Sequence, residues 1–305
     1  MENMLQLKNV TVSYKNVPTV QDFNLDMKQG QIVSLVGESG SGKTTVIRAV
    51  LGLLAGGGMV SGGSITFEGK NLLSYNREEW RNLRGSEISM IFQDSGAMMN
   101  PTRKVGDVFV EYLRTHEKIS KKDAWAKGCG MLEKMNLPSP DNVMKSYPFQ
   151  LSGGMRQRVG IAMGMSYQPK LLLADEPTGS VDTEPAKLLL DVFRELNRAM
   201  GVTIIIVTHD TKLSAQIDRV VAIRDGKTST ELVRKSGIAK SFGELNEQEE
   251  TSHEELTVLD RAGRLQIPKE YLEELGLRGG DKVRVELEEG KISIYPRGIA
   301  DKASK

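Results

Sequence analysis

A glycine-rich turn between an apolar stretch and a helical stretch constrains the fold of this sequence more than any other feature. The turn reads GESGSGKT, residues 37–44, and it follows QIVSLV, a short apolar run typical of a buried strand. Its glycines let backbone N–H groups converge on phosphate oxygens, and the helix that follows, TTVIRAVLGLL, directs its positive end at the same anion. The pattern and its strand–turn–helix setting predict a P-loop.

The chemistry of the loop assigns a role to its last residues. Lys43 is expected to neutralise the β- and γ-phosphates, and the Thr44 hydroxyl is expected to ligate Mg²⁺. The nucleotide-binding residues predicted within the loop are Gly37, Ser39, Gly40, Ser41, Gly42, Lys43, Thr44 and Thr45. By itself the loop leaves GTPases, kinases, motors and transporters open.

A second apolar run, KLLLADEP, ends in the acidic pair Asp175 and Glu176. An acidic pair at a strand end is often only a solvated turn, but a P-loop in the same sheet favours a catalytic interpretation. Asp175 is then expected to hold Mg²⁺ through water, and Glu176 to polarise the attacking water as general base.

Strand-like and helix-like segments alternate along most of the chain. The predicted strands are LQLKNVTVSY, QIVSLV, GGSITFEG, EISMIFQD, KLLLADEP and VTIIIVTHD, and the predicted helices cover most of 105–137, LSGGMRQRVGIAMGM and 184–200. This alternation predicts an α/β fold with a largely parallel sheet and helices on its faces. Three strands end in GESGSGKTT, ADE and THD, and such carboxyl ends are where chemistry collects in parallel sheets.

Composition excludes several classes of protein. The formal net charge of +1 gives no basic surface for nucleic acid, so no nucleic-acid partner is expected. Cys129 is the only cysteine, so it cannot form an intrachain disulfide, which fits a reducing compartment. The first residues, MENMLQLKNV, lack the features of a signal peptide, and no run of about 18 apolar residues occurs. Any membrane role must therefore come through a partner chain.

The segment LSGGMRQ, residues 151–157, lies shortly before the acidic strand. With it the chain resembles the nucleotide-binding subunits of ABC transporters over about residues 4–235. The resemblance implies an ABC-type ATPase domain at 1–235 with a helical subdomain at about 95–168. It also implies that the P-loop of one subunit binds ATP while Ser152, Gly153, Gly154 and Gln157 of a second subunit close over it.

The resemblance implies roles for four further positions. Tyr14 matches the aromatic residue that stacks on adenine, although it is also plausible as an ordinary strand aromatic. Gln93 matches the glutamine that senses Mg²⁺ and couples to the membrane subunits, and His209 matches the histidine at the γ-phosphate. Both are also explained as polar residues at strand ends. Asp182, in Ser180–Asp182, matches the loop that communicates across the dimer.

The predicted catalytic residues are therefore Lys43, Glu176 and His209, and the predicted metal residues are Thr44, Gln93 and Asp175. The predicted ligands are ATP and Mg²⁺. One chain carries one P-loop and one LSGGMRQ segment, so it needs a second ATPase subunit, identical or paralogous, to complete a site.

The middle of the chain resembles the ATP-binding subunits of oligopeptide, dipeptide and nickel importers. The residues that carry this resemblance are VGESGSGKTT, ISMIFQD, MNP before VGDV, YPFQLSGGMRQRV and LLLADEPT. The segment DSGAMMNP departs from the importer pattern, and their cysteine-containing extension is absent. PTGSVDTE and IDRVVAIRDGK instead resemble lipoprotein-releasing and macrolide-exporter ATPases. We favour the importer type and keep the exporter type as the alternative.

The importer interpretation implies partners and a location. The partners are a transmembrane permease and an extracytoplasmic substrate-binding protein, and the location is the cytoplasmic face of the membrane, as a peripheral subunit. A soluble ABC ATPase is disfavoured because neither a second cassette nor a long coiled coil is present. A DNA-binding regulator would depend on the tail alone.

The composition shifts after about residue 236, which predicts a linker at 236–253, a small domain at 254–297 and a disordered tail at 298–305. The string DRAGRLQIPKEYLEELGL and the strand GDKVRVE resemble the AbrB-type swapped hairpin, which forms an intertwined β-barrel dimer and often binds DNA. Glu254 to Pro296 contains ten acidic and seven basic residues, which weighs against phosphate contact despite Arg261, Arg264 and Lys269. We therefore expect this domain to be a permanent clasp between ATPase subunits.

Overall fold

The computed structural model describes residues 3–93, 99–178, 183–234, 253–258, 265, 267, 269–278, 281–288 and 290–296. Contacts divide the chain into two units, Met1–Leu256 and Thr257–Lys305. Within the described residues no helix is long and apolar enough to cross a bilayer.

The strands of the described residues run in chain order as follows: β1 Leu5–Tyr14, β2 Val17–Met27, β3 Ile32–Val36, β4 Gly58–Phe67, β5 Lys70–Asn71, β6 Ile88–Ile91, β7 Leu171–Asp175, β8 Thr203–Thr208, β9 Arg219–Arg224, β10 Lys227–Arg234, β11 His253–Thr257, β12 Val283–Glu288 and β13 Lys291–Pro296. The helices are α1 Lys43–Val50, α2 Arg77–Leu83, α3 Val105–His116, α4 Lys121–Lys134, α5 Pro140–Lys145, α6 Gly153–Met165, α7 Thr183–Met200, α8 Thr211–Ser214 and α9 Lys269–Glu274.

A seven-stranded sheet forms the centre of the first unit, in the order β11-β10-β9-β3-β8-β7-β6. The strands from β9 to β6 are parallel, and β10 returns antiparallel to β9. Strands β7 and β8 are buried along their whole length, as expected for a parallel sheet covered on both faces. Their uninterrupted apolar sequences, LLLA and IIIV, follow from that double burial.

A separate four-stranded sheet has the order β2-β1-β4-β5 and is antiparallel. Its inner face includes Leu7 and Val12, which belong to one hydrophobic core together with Ile47 of α1 and Leu35 of β3. This core fixes α1 between the two sheets. The sequence pattern predicted β1 and β4 only as strands of an α/β fold and did not distinguish this second sheet.

A helical region made of α3 to α6 follows β6. Its core contains Phe109 of α3, Leu132 of α4 and Met144 of α5, and it continues into the apolar residues under α7. Gly128 lets α4 approach α3 and α5, because a Cβ at that position would lie 2.7 Å from the Met144 methyl group. The region overlaps the stretch 95–168 predicted as a helical subdomain.

The second unit contains α9 and the hairpin β12–β13. The hairpin register pairs Val285 with Ile294 and Leu287 with Ile292, so these four side chains share one face. The hairpin turn includes Gly290, whose φ is +79°. This antiparallel hairpin agrees with the small β unit predicted for the tail.

The structure describes the residues on both sides of only one predicted domain boundary. Strand β11 is the edge strand of the central sheet, and it spans the predicted boundary between linker and tail domain at residue 254. The predicted linker at 236–253, apart from His253, and the predicted tail at 298–305 lie outside the described residues.

Candidate active site

The carboxyl ends of four neighbouring strands place the predicted residues at one edge of the central sheet. Val36, at the end of β3, pairs with Thr208 at the end of β8, and Asp175, at the end of β7, pairs with Val207. Strand β6 lies beside β7 and leads to Gln93 two residues after its end. The fold therefore brings the P-loop, the acidic pair, His209 and Gln93 to the same edge.

The P-loop passes so close to β9 that its first residue has to be glycine. Gly37 has a φ of +155°, and a Cβ there would lie 2.2 Å from the Ile223 carbonyl oxygen. Gly42, at the N-terminus of α1, has a φ of +104° and brings no side-chain cap to the helix. The first N–H groups of α1 are thus left to a ligand rather than to a capping side chain.

Lys43 lies buried inside its own loop. Its ammonium group donates hydrogen bonds to the carbonyl oxygens of Gly37 at 2.9 Å and Glu38 at 2.8 Å. Burial lowers the pKa of Lys43, while the nearby carboxylates of Glu176 and Asp175 act in the opposite direction. Ser39 and Gly40 form the exposed lip of the loop, whereas Ser41 is buried.

Thr44 and Asp175 are in direct contact. The Thr44 hydroxyl donates to Asp175 Oδ1 at 2.8 Å. Burial raises the pKa of Asp175, and the Thr44 hydrogen bond and the charge of Arg48 act against that rise. Hydroxyl and carboxylate oxygens are the ligands that Mg²⁺ takes in proteins, so the donor set fits this ion. Thr45, the next residue of α1, is partly buried.

Glu176 collects two of the predicted partners. Its carboxylate accepts a hydrogen bond from Gln93 Nε2 at 3.1 Å, and its Oε2 lies 3.4 Å from His209 Nδ1. The Glu176 N–H donates to the Val207 carbonyl at 2.9 Å, and the residue has a φ of +43°. Because a positive φ is uncommon outside glycine, the backbone at Glu176 is locally strained.

The other predicted residues that the structure describes make separate contacts. The Tyr14 ring packs over Gly58 of the paired strand β4, where a Cβ would lie 2.5 Å from the ring. The Ser152 side chain caps α6 by accepting from the Met155 N–H at 3.3 Å. The glycines that follow Ser152 are Gly153, which is exposed, and Gly154, which is partly buried. Gln157 is buried, and its Nε2 has no hydrogen-bond partner in the described residues.

One predicted site residue is not placed by the structure, and one residue near the site was not predicted. Asp182 and its neighbours at 179–182 lie outside the described residues, so their predicted role is not placed. Arg48 was not selected, although its charge acts on Asp175. Arg48 lies four residues after Thr44 on α1, and residues four apart share a helix face. This spacing is the sequence signal that could have identified Arg48.

A P-loop, an acidic strand end and an LSGGMRQ helix N-terminus on one α/β scaffold define a P-loop ATPase of the ATP-binding-cassette type. Comparison with known proteins agrees with this class. The family model described as ABC transporter matches residues 20–179, and the model described as antidote-toxin recognition MazE, bacterial antitoxin, matches residues 257–301.

Individual relatives narrow the comparison further. The dipeptide transport ATP-binding protein DppD of Bacillus subtilis is 40% identical over 233 residues, covering 74% of this chain and 70% of the relative. The oligopeptide transport ATP-binding protein OppD of Escherichia coli is 40% identical over 230 residues, covering 74% and 68%. Among solved structures, the dimeric post-hydrolysis state of the ATP-binding cassette MJ0796 bound to ADP and Pi matches with a TM-score of 0.67 and 27% identity, covering 75% of this chain and 97% of that one.

The chain belongs to the ABC transporter family and is an ATPase of its ATP-binding type. The predicted family resemblance is confirmed, and the predicted AbrB-like tail coincides with the MazE match.

Proposed function

We propose that the chain is the ATP-hydrolysing subunit of a peptide importer, bound peripherally beneath a permease at the cytoplasmic face of the membrane. The relatives with the printed names dipeptide and oligopeptide transport ATP-binding protein support the substrate class. The single observation that carries the hydrolytic part is the convergence of Lys43, the Thr44–Asp175 pair and the Gln93–Glu176–His209 cluster at one sheet edge.

Each of these side chains has a separate role in the proposed hydrolysis. Thr44 and Asp175 are the residues that would hold Mg²⁺, with Gln93 at the same edge, and the ion would neutralise charge on the β- and γ-phosphates. The Lys43 ammonium group would exchange its hydrogen bonds to the two loop carbonyls for contacts with the same phosphates. Glu176 accepts a proton from the attacking water, and the Gln93 amide orients its carboxylate. His209, whose Nδ1 lies 3.4 Å from the Glu176 carboxylate, would contact the γ-phosphate.

An apolar cleft beside Gln93 is the site that we propose for a cytoplasmic segment of the permease. The cleft has a volume of about 410 Å³ and is lined by residues of β6, α3 and α6. Phe92 and Met99, which flank the segment containing Gln93, both line it. A permease segment in this cleft would therefore touch both ends of the segment that reaches Glu176.

The hairpin of the second unit is the part that we propose as a clasp between two ATPase subunits. Its apolar face carries Val283, Val285, Leu287 and Ile292, which are 40%, 60%, 76% and 67% exposed. An apolar face this exposed on a two-stranded hairpin is unstable by itself. A second subunit that contributes the same face would cover it, and the dimer would persist after ATP has left.

Two substitutions test the hydrolytic assignment. Glu176→Gln should preserve ATP binding and lower the rate of phosphate release by about 100-fold or more, the scale of a lost general base. Lys43→Ala should abolish both nucleotide binding and turnover. Initial rates of phosphate release and a fluorescent-nucleotide titration measure the two effects. Normal turnover in Glu176→Gln would remove Glu176 as the base, and normal activity in Lys43→Ala would remove the P-loop assignment.

A further inference from the structure

Arg84 forms hydrogen bonds at the C-terminus of α1, the P-loop helix. Its guanidinium donates to the carbonyl oxygen of Leu51 at 2.9 Å through Nε and to that of Gly52 at 2.9 Å through Nη2. These are carbonyl groups at the C-terminus of α1, where helix geometry leaves acceptors without intrahelical partners. A fixed positive charge at this end also complements the helix dipole.

The guanidinium is itself held by an aromatic platform. It stacks on the Trp80 ring with 4.6 Å between Arg84 Cζ and the ring centroid. The same ring lies against Gly52, where a Cβ would come within 2.7 Å of the indole. Burial lowers the pKa of Arg84. Trp80, Arg84 and the turn after α1 therefore form one packed unit.

This unit lies in the wall of the apolar cleft. Leu51, Leu53 and Arg84 line the cleft together with Phe92 and Met99, the residues that flank the Gln93 segment. Among the described lining residues Arg84 is the only one with a charged side chain. Because α1 has eight residues, only about 12 Å separates its two ends, one in the cleft wall and the other at Lys43 and Thr44.

We propose that Arg84 is a positioning residue that couples the occupancy of the cleft to the position of the P-loop helix. The proposal rests on the permease function proposed above, but its physical core is a link between two places in this chain. Such a link is reciprocal: if a segment in the cleft shifts α1, nucleotide at the other end of α1 must alter the cleft.

The first experiment uses this reciprocity in the full-length chain, with MgATP as the probe. The sequence has two tryptophans, so Trp125→Phe leaves Trp80 as the only indole. In that protein MgATP should change the emission of Trp80, and the change should disappear when Arg84→Gln is added. Arg114→Gln is the matched control, because the Arg114 guanidinium donates to the carbonyl of Ile119 at 3.2 Å, beyond the C-terminus of α3.

The second experiment uses the membrane chains that co-purify with the full-length protein. At saturating membrane complex, Arg84→Gln should lower the ratio of stimulated to basal ATP hydrolysis by at least about five-fold, the lower range of typical coupling. Arg84→Lys should restore part of the ratio because it keeps one charged donor. Arg114→Gln should leave the ratio unchanged.

The outcomes separate the two proposals. A Trp80 signal in the parent protein that survives Arg84→Gln, or no signal at all, overturns the role of Arg84. A stimulation defect that vanishes at high concentration of the membrane complex also overturns it, because Arg84 would then be a docking contact. An equal loss of basal and stimulated activity would make it a structural residue of the P-loop helix. If no membrane complex stimulates ATP hydrolysis by the wild-type chain, the permease function is refuted, even where MgATP changes the emission of Trp80.

Discussion

The substitution Leu287→Ala tests the proposed clasp in the second unit. Leu287 lies on β12 with 76% of its surface exposed, on the same hairpin face as Val285 and Ile292. Complete burial of a leucine side chain is worth about 1.5–3 kcal/mol. Burying the exposed part in each of two symmetric copies then contributes about 2.3–4.6 kcal/mol per dimer, and alanine removes about 2–4 kcal/mol of it.

Such a loss corresponds to a dimer dissociation constant about 30- to 700-fold higher, since 1.4 kcal/mol is a factor of ten. Sedimentation velocity of the full-length, nucleotide-free protein over a concentration series measures that constant. Lys291→Ala is the matched control, because Lys291 pairs with Glu288 on the opposite face of the hairpin. An unchanged constant for Leu287→Ala would refute the clasp, and so would an equal effect of Lys291→Ala.

Three further predictions concern the first unit. Gly37→Ala should weaken ATP binding by more than about tenfold in a fluorescent-nucleotide titration, because its Cβ would lie 2.2 Å from the Ile223 carbonyl, whereas Gly130→Ala, with nothing within 4 Å, should bind normally. Gln93→Ala should lower the rate of hydrolysis but not the affinity for ATP, since Gln93 donates to the Glu176 carboxylate; weaker ATP binding with a normal rate would contradict that role. Burial raises the pKa of Tyr167 to about 12. Because the pKa of Tyr167 is higher in the folded than in the unfolded protein, Tyr167 contributes to stability below its unfolded-state pKa. That contribution is lost as the pH rises through 12. Tyr167→Phe removes a hydroxyl that donates to the Tyr112 carbonyl at 2.7 Å, so its melting temperature should be about 2–4 °C below wild type at pH 8, with a smaller gap at pH 12. A difference in melting temperature that grows between pH 8 and pH 12 would contradict this prediction.

The sequence predicted which residues meet at one edge of the central sheet, because each of them has a local signal. Buried parallel strands read as uninterrupted apolar runs, and polar residues directly after them must lie at one edge. That reasoning placed Lys43, Asp175, Glu176 and His209 at this edge from the sequence alone. It also predicted the hairpin β12–β13, since two alternating strands meet at a glycine turn.

The partners of these residues were not predictable in the same way. Periodicity shows which face of a strand is buried but not which strand it pairs with, so the separate sheet of β1, β2, β4 and β5 was not distinguished. The contact between Arg84 and the end of α1 joins residues 33 positions apart, and nothing local in RNLRGSE announces it. The hydrogen bonds from Lys43 to its own loop depend on backbone directions that appear only once the loop is built.

The central claim is that ATP holds two of these subunits together, and that Glu176 then acts as the general base in the hydrolysis of that ATP. Sedimentation velocity of full-length Glu176→Gln combined with Leu287→Ala, with and without MgATP, tests it directly, since ligand held between two subunits stabilises their dimer by mass action. The account predicts that MgATP lowers the dimer dissociation constant by at least about tenfold, and that Lys43→Ala in place of Glu176→Gln abolishes this effect. A constant that does not respond to MgATP would contradict the claim.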